Sequence, residues 1–137
     1  MDSADAQSFL TEHHHGVLVT RRRDGSLQMS LVSPAVAAEG RVIITTRETA
    51  YKTKNICRDP QVSLCVFTEA FHGSNWVQIN GRVEIISLPD AMAPLMDWHR
   101  RVKGEHPNWD DYRRTMEEQR RVILRIAVES VGPQRKG

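Results

Sequence analysis

The sequence predicts a mainly β protein, in which six antiparallel strands form a closed or nearly closed barrel with helices at its periphery. Apolar residues recur at every second position in several runs, and short turns separate most of these runs. Four short segments have helical spacing instead, and they do not alternate regularly with the strands. The chain of 137 residues is long enough for one core, so we expect a single domain over residues 1–137.

The composition is that of an ordinary folded protein. Hydrophobic residues make up 39% of the chain, charged residues make up 26%, and the formal net charge is +2. So small a positive surplus does not predict nucleic-acid binding. No apolar run approaches the roughly 20 residues of a membrane helix, and no basic and apolar leader opens the sequence. We therefore expect a cytoplasmic protein whose partners include neither a membrane nor a nucleic acid.

Neither the cysteines nor the histidines predict a metal site or a disulfide. Cys57 lies in a predicted helix and Cys65 in a predicted strand, and we interpret both as buried free thiols. His13, His14 and His15 are consecutive, and consecutive side chains cannot converge on one ion in a helix or a strand. These histidines are therefore interpreted as a polar connector.

The first third of the chain predicts a helix followed by a β-hairpin. Residues 5–12 have helical spacing, whereas residues 16–22 and 27–38 are apolar or alternating runs. Between these two runs lies Asp24-Gly25, whose residues both tolerate a positive φ and so favour a tight turn. Pro34 should bend the second strand or leave it at a sheet edge, because proline has no N–H for the ladder.

The middle of the chain predicts three strands and one short helix. Strands are expected at 41–46, 61–67 and 75–87. The basic segment 48–58 should form the helix, which ends at Asp59-Pro60 because the residue before a proline avoids helical geometry. The strand at 61–67 is apolar on both faces, which indicates a central position in the sheet.

The last third of the chain predicts two helices and the final strand. The first helix begins after Pro89 and ends at Gly104, while Asn108 caps the second. Trp98 is interpreted as a packing residue of the first helix. The final strand covers residues 121–131, where apolar residues alternate with charged ones.

A cluster of hydroxyl and basic groups follows the third predicted strand. Thr45 and Thr46 end that strand, and Lys52, Lys54 and Asn55 lie on the short helix after it. Lysines and hydroxyls beside the free N–H groups of a helix N-terminus favour a phosphate dianion. The alternative is a solvated basic face of a short helix. The pattern therefore predicts an anion site between two strands.

Four segments, in this order, resemble the split-barrel flavin and deazaflavin proteins, the superfamily named for pyridoxamine 5′-phosphate oxidase. The segments are GVLVTRRRDGSLQMSLV, RVIITTRETAYKTKNICRDPQVSL, WVQINGRVEII and GEHPNWDDYRRTMEEQRRVILRI. The last of them, with GEH, WDDYR and RRV in succession, most resembles the small actinobacterial branch that uses coenzyme F420. The resemblance implies a six-stranded split β-barrel of the FMN-binding type, which forms a homodimer with two cofactor sites at the subunit interface. Relatives that oxidise vitamin B6 are longer, so that activity is not predicted.

The resemblance also implies which residues contact the cofactor. The phosphate would lie near this cluster of hydroxyl and basic groups, and the ring would lie along the second strand. Residues of the fifth strand, from the same or the other subunit, would also contact the cofactor. Many relatives carry an arginine where this chain has Ala50, and Arg47 would have to reach into the site to supply that charge. Trp76 fits an interface aromatic equally well. The implied cofactor contacts are Ser30, Leu31, Val32, Ser33, Thr45, Thr46, Arg47, Lys52, Lys54, Asn55, Trp76 and Gln78.

The resemblance implies an oxidoreductase that passes a hydride from reduced coenzyme F420, a deazaflavin, to an enone, a quinone or a lactone. Arg47, Lys52, Lys54 and Arg58 favour F420 over FMN, since the oligoglutamate tail of F420 adds carboxylates beyond the phosphate. The alternatives are an FMN-binding oxidoreductase of the same fold and a non-catalytic cofactor-binding module. No catalytic acid or base is assigned, because the reactive atom belongs to the cofactor; Tyr51 is the one candidate for a proton donor.

Overall fold

The structure is a computed structural model that describes residues 2–70 and 75–132. In this part of the chain, four helices and seven strands follow one another along the sequence. The helices are α1 (Ser3–Glu12), α2 (Tyr51–Arg58), α3 (Met92–Lys103) and α4 (Trp109–Glu118). The strands are β1 (His15–Arg21), β2 (Leu27–Val32), β3 (Ala35–Val36), β4 (Val42–Arg47), β5 (Gln61–Phe67), β6 (Trp76–Ile86) and β7 (Arg121–Gly132).

The strands form one antiparallel sheet in the order β2-β1-β5-β6-β7-β4-β3. β2 and β3 lie at opposite edges of this sheet, yet only Ser33 and Pro34 separate them in the sequence. The sheet must therefore curl until its two edges meet at that dipeptide. The result is a half-barrel with helices packed against it, which confirms the mainly β prediction, and β5 occupies the central position expected of it.

The prediction of six strands is wrong by one, because the expected strand over residues 27–38 is two strands. Val32 at the end of β2 pairs with Gly16 of β1, whereas Ala35 at the start of β3 pairs with Ile43 of β4. Pro34 lies at the break. Proline donates no ladder hydrogen bond and restricts the residue before it, so the chain changes partners at this point.

The main core lies on the inner face of the curled sheet. Alternate residues of the strands point to this face, as the sequence periodicity predicts. α1 covers one part of it with Ala6 and Leu10, and α2 contributes Ile56. The fully buried strand residues of this core include Leu18, Ile44, Leu64, Val66, Val77, Leu124 and Ile126.

A second core lies between the outer face of β4 and β7 and the helices α3 and α4. Ile43 and Ile123 from the sheet pack there with Leu95, Trp98 and Tyr112 from the helices. The Tyr112 hydroxyl donates a hydrogen bond to the Leu95 carbonyl at 2.8 Å, which joins the two helices. The first part of β7, at Val122, Ile123 and Leu124, is therefore buried on both faces.

The helix ends differ in how their backbone groups are satisfied. Asp2 and Asp5 form a capping box on α1, and Asn108 accepts from the Asp111 N–H on α4 at 3.1 Å. α2 begins after Ala50 with no side-chain cap and no acidic residue in its first turn. Cys57 on α2 is exposed and Cys65 is partly exposed, so the expectation of two buried thiols is wrong. No helix in the described ranges has the length and apolar character needed to cross a membrane.

Candidate functional site

A cavity of about 620 Å³ opens at the point where the two sheet edges meet. Its walls come from the ends of β2 and β4, the first turn of α2, and the facing sides of α3 and α4. The lining residues are His15, Gly16, Leu31, Val32, Ser33, Thr45, Thr46, Lys52, Phe67, Trp98, His99, Lys103, Tyr112, Met116 and Arg121.

Half of the predicted cofactor contacts lie together in this cavity. The end of β2 and the following residue form one wall, and the end of β4 with the start of α2 forms another. These two groups are far apart in the sequence, and the curl of the sheet brings them together. The predicted residues that line the cavity are Leu31, Val32, Ser33, Thr45, Thr46 and Lys52.

The predicted polar residues on α2 other than Lys52 lie outside the cavity. Asn55 is buried, and its side-chain N–H₂ donates to Thr20 Oγ1 at 3.1 Å and to Gln28 Oε1 at 2.9 Å. It therefore ties α2 to the β1–β2 hairpin. Lys54 is exposed, with its ammonium 5.7 Å from the centroid of the Tyr51 ring. Tyr51, the predicted candidate for a proton donor, is itself exposed and does not line the cavity.

The remaining predicted contacts also lie apart from the cavity. Ser30 pairs with Leu18, whose side chain belongs to the inner core, so Ser30 faces away from its neighbour Leu31. Trp76 and Gln78 lie on β6, beyond β5 and β1 as seen from β2. Arg47 is exposed at the end of β4. Within one chain, the structure does not bring these side chains to the cavity.

The cations that line the cavity have no acidic partner among its lining residues. Lys52, Lys103 and Arg121 are the charged residues of this wall. Burial lowers the pKa of Lys52, and the nearby charge of Arg121 lowers it further. Burial also lowers the pKa of Arg121, and the charge of Arg47, its direct cross-strand neighbour, adds to that effect. Like charges opposite each other destabilise a sheet, so an anion at this point would relieve the repulsion.

A hydroxyl group beside these cations lacks a hydrogen-bond partner. Thr45 Oγ1 is buried, and no described residue donates to it or accepts from it. Buried polar groups are nearly always hydrogen-bonded, so this hydroxyl is available to a group bound in the cavity. The uncapped first turn of α2 adds free N–H donors to the same region. Together these donors fit the phosphate of a flavin-type cofactor.

The helical wall is held in place by hydrogen bonds. Trp98 Nε1 donates to the Ser33 carbonyl at 2.8 Å. Ser33 lies between β2 and β3 and so is outside the strand ladder. Burial raises the pKa of Tyr112 to about 12, although the charge of Arg121 opposes the rise. Tyr112 therefore stays protonated near neutral pH and serves as a wall. His99 Nδ1 lies 2.9 Å from the Gly104 carbonyl, which holds the imidazole ring at the cavity.

The sequence prediction missed Arg121, His99, Lys103 and the cavity-facing role of Trp98. Periodicity assigns these residues to helix faces or to the strand end, and it does not indicate which faces meet. One signal was available, because Arg121 lies in the RRV run that carries the family resemblance. In the part of the chain described, no group of three or more His, Cys, Asp or Glu residues is placed to hold a metal ion.

Comparisons with known proteins agree with this fold. Among solved structures, a conserved hypothetical protein from Mycobacterium tuberculosis is 21% identical with a TM-score of 0.78, over 100% of this chain and 92% of that chain. A protein named F420 reductase is 25% identical with a TM-score of 0.70, over 92% and 94% of the two chains. A heme binding protein from Mycobacterium smegmatis is 16% identical with a TM-score of 0.71, over 97% of this chain and 55% of that chain.

A family model gives the broadest match. It is described as pyridoxamine 5′-phosphate oxidase, and it covers residues 3–135. This range contains all seven strands of the sheet and every residue that lines the cavity. The superfamily resemblance inferred from the sequence is thereby confirmed. The chain belongs to the pyridoxamine 5′-phosphate oxidase family.

Proposed function

We propose that this protein is an oxidoreductase that uses coenzyme F420 to transfer a hydride to an unsaturated small organic substrate of the enone, quinone or lactone type. The observation that carries the proposal is the unpartnered Thr45 hydroxyl beside the uncompensated cations Lys52 and Arg121. Family membership supports a flavin-type cofactor. The similarity to an F420 reductase, at 25% identity over most of both chains, supports the deazaflavin.

The phosphate of the cofactor is held by Lys52, by the Thr45 hydroxyl and by the N–H groups at the start of α2. Arg121 from β7 takes the place of the arginine that many relatives carry at Ala50. Arg47 lies opposite Arg121 and faces solvent, where it can bind a carboxylate of the oligoglutamate tail. FMN has no such tail, so this pair of arginines favours F420.

The ring of the cofactor lies along the end of β2, against Trp98 on α3. When bound, the reduced cofactor would supply a hydride to an electron-poor carbon of the substrate, and the proton would come from solvent. The chain's own contribution is to hold and orient the ring. Ser33 is fixed by its hydrogen bond from Trp98, so this wall is rigid before the cofactor binds.

The proposed enzyme is a homodimer, with a second copy on the outer face of β2, β1, β5 and β6. Met29 and Leu31 are 71% and 83% exposed, although both are large and apolar. Leu31 also lines the cavity, so a copy that covers this face would complete the cavity wall and could contribute its own Trp76. Cross-strand pairing places two rows on this face: Leu31, Val17, Cys65 and Gln78 in one, and Met29, Val19, Ser63 and Asn80 in the other.

A titration of the cofactor-free protein with F420 and with FMN tests the proposal. We expect tighter binding of F420. Lys52→Met should weaken binding by about 1.5–3 kcal/mol, because a hydrogen bond to a charged group is lost. Lys54→Met is the matched control: it removes an equal charge from the same helix, outside the cavity, and should leave the dissociation constant unchanged.

The alternatives predict different outcomes in the same experiments. FMN binding without F420 binding would favour an FMN-dependent oxidoreductase of this fold. Cofactor binding without turnover over a panel of enones and quinones would favour a non-catalytic cofactor-binding module. An unchanged affinity of the Lys52→Met variant for both cofactors would remove Lys52 from the site and contradict the proposal.

A further inference from the structure

A second cavity of about 500 Å³ adjoins the first one. It lies between the end of α1, the start of β1 and the residues that follow β5. His15, Ser33 and Phe67 line both cavities and so form a common wall. The centroids of the His15 and Phe67 rings are 6.4 Å apart. A ligand in the second cavity can therefore reach the wall along which the proposed cofactor ring lies.

The two cavities have opposite charge. The first is lined by lysine and arginine without an acidic residue, whereas the second is lined by Glu12 and Glu69 without a lysine or an arginine. Neither of these glutamates forms an ion pair with another described residue. Other acids of the chain do, since Glu48 pairs with Arg120 and Glu84 with Arg125. The carboxylates of the second cavity therefore have no cationic partner within residues 2–70 and 75–132.

The remaining walls of the second cavity are held firmly. His14 Nδ1 lies 2.9 Å from the Pro34 carbonyl, and the His13 ring packs on Phe9 with centroids 4.6 Å apart. These contacts tie the histidine connector to the β2–β3 break and to α1. The cavity is thus part of the packed structure, with flat rings on one side and two free carboxylates at its rim.

We infer that the second cavity is the substrate subsite, and that it selects an electron-poor substrate that carries a cationic group such as a quaternary ammonium. This inference rests on the proposed function. With the anionic cofactor in the first cavity, the reactive carbon of the substrate meets it at the common wall, between His15 and Phe67. The rest of the substrate then occupies the second cavity, where Glu12 and Glu69 attract a cation and repel an anion.

Three naphthoquinones test this selection: one with a trimethylammonium group, one with a sulfonate group, and the uncharged parent. For the F420-loaded protein at low ionic strength, we expect kcat/KM to be roughly tenfold higher for the cationic quinone than for the anionic one. The Glu12→Gln/Glu69→Gln double variant should lose this preference, so that its kcat/KM values for the cationic and the anionic quinone become similar. Glu118→Gln, an exposed acid on α4 outside both cavities, is the matched control and should keep the preference.

A binding measurement on the cofactor-free protein separates this inference from the proposed function. The trimethylammonium quinone should shift the NMR signals of the histidine rings at 13–15, and the double variant should show no such shift. If F420 does not bind but these shifts occur, the proposed function fails and the subsite stands. If F420 binds but the quinones are reduced equally or the preference survives in the double variant, the inference about the subsite is overturned.

Discussion

At the residue scale, the buried Thr45 hydroxyl is expected to reduce the stability of the free protein. Its buried hydroxyl has no partner among the described residues, so Thr45→Val should raise the free energy of unfolding by about 1 kcal/mol. The same change should weaken cofactor binding. Thr53→Val is the control. Thr53 Oγ1 donates to the Arg47 carbonyl at 2.8 Å, so the loss of this hydrogen bond should lower the free energy of unfolding. Denaturant unfolding measures both, and a destabilised Thr45→Val variant would contradict the prediction.

The raised pKa of Tyr112 predicts that the folded protein loses stability at alkaline pH. Burial raises its pKa to about 12 in the folded state, against an ordinary value near 10. Above pH 10 the unfolded chain releases the phenolic proton and the folded chain does not, so stability falls between pH 10 and 12. The expected loss is on the order of 2 kcal/mol, since Tyr112 is only 6% exposed.

Denaturant unfolding at pH 9 and at pH 11.5 measures this loss. Tyr112→Phe lacks the titrating group, so its pH dependence across the same interval should be smaller. That variant should also be less stable than the parent at pH 9 by about 1 kcal/mol, because the hydrogen bond to the Leu95 carbonyl is lost. Equal pH dependence of the two proteins would assign the alkaline loss to other groups.

Whether the position of an individual residue could be predicted depends on whether its contacts are set by neighbouring residues in the sequence. Thr45, Thr46 and Lys52 were predicted together because they lie at the end of a strand and the start of the next helix, and the structure brings them to one cavity. Asn55 belongs to the same sequence pattern, but its partners Thr20 and Gln28 come from the hairpin. Its burial depends on a contact that no local pattern encodes.

At the scale of elements, the break between β2 and β3 is the feature that builds the cavity. Pro34 ends the pairing of β2, which leaves the Ser33 and Pro34 carbonyl groups outside the ladder. Two side chains from other elements form hydrogen bonds with these carbonyls. Trp98 Nε1 donates to the Ser33 carbonyl at 2.8 Å, and His14 Nδ1 lies 2.9 Å from the Pro34 carbonyl. α3 and the histidine connector therefore hold the point where the sheet edges meet.

Trp98→Phe tests this arrangement, because it keeps a ring and removes the N–H donor. We expect the free energy of unfolding to fall by about 1–2 kcal/mol and the cofactor dissociation constant to rise severalfold. Trp109→Phe is the control, since Trp109 Nε1 donates at 3.2 Å to Glu105 at an exposed site. Unchanged cofactor affinity in the Trp98→Phe variant would show that the Ser33 carbonyl does not need this donor.

Most elements were predictable because each has a local cause. The Asp24-Gly25 turn, the stop at Asp59-Pro60 and the Asn108 cap all occur where the sequence predicts them. Residues 27–38 have a strand-like pattern throughout, so their periodicity did not show that the chain changes its pairing strand within this run. Pro34 predicted a bend, but only the sheet order shows that the two halves pair with different strands.

At the scale of the whole molecule, the outer sheet face predicts the oligomeric state. Light scattering should give a dimer for the parent protein, in which a second copy covers Met29 and Leu31. Met29→Lys should give a folded monomer, because the Met29 side chain is 71% exposed in the single chain and its loss costs little core packing. Glu118→Lys adds positive charge at an exposed position on α4 and should leave the dimer intact. A monomeric parent protein would contradict the shared-site proposal.

The sequence by itself determined most of the elements, the family and the grouping of Thr45, Thr46 and Lys52, because turn residues, caps and apolar periodicity act over a few neighbouring positions. The tertiary structure decided that Arg121 faces Arg47, that Trp98 reaches Ser33, and that two cavities of opposite charge share a wall. These juxtapositions depend on strand register and on the curl of the sheet. Both are set by the packing of distant segments, which no local pattern contains.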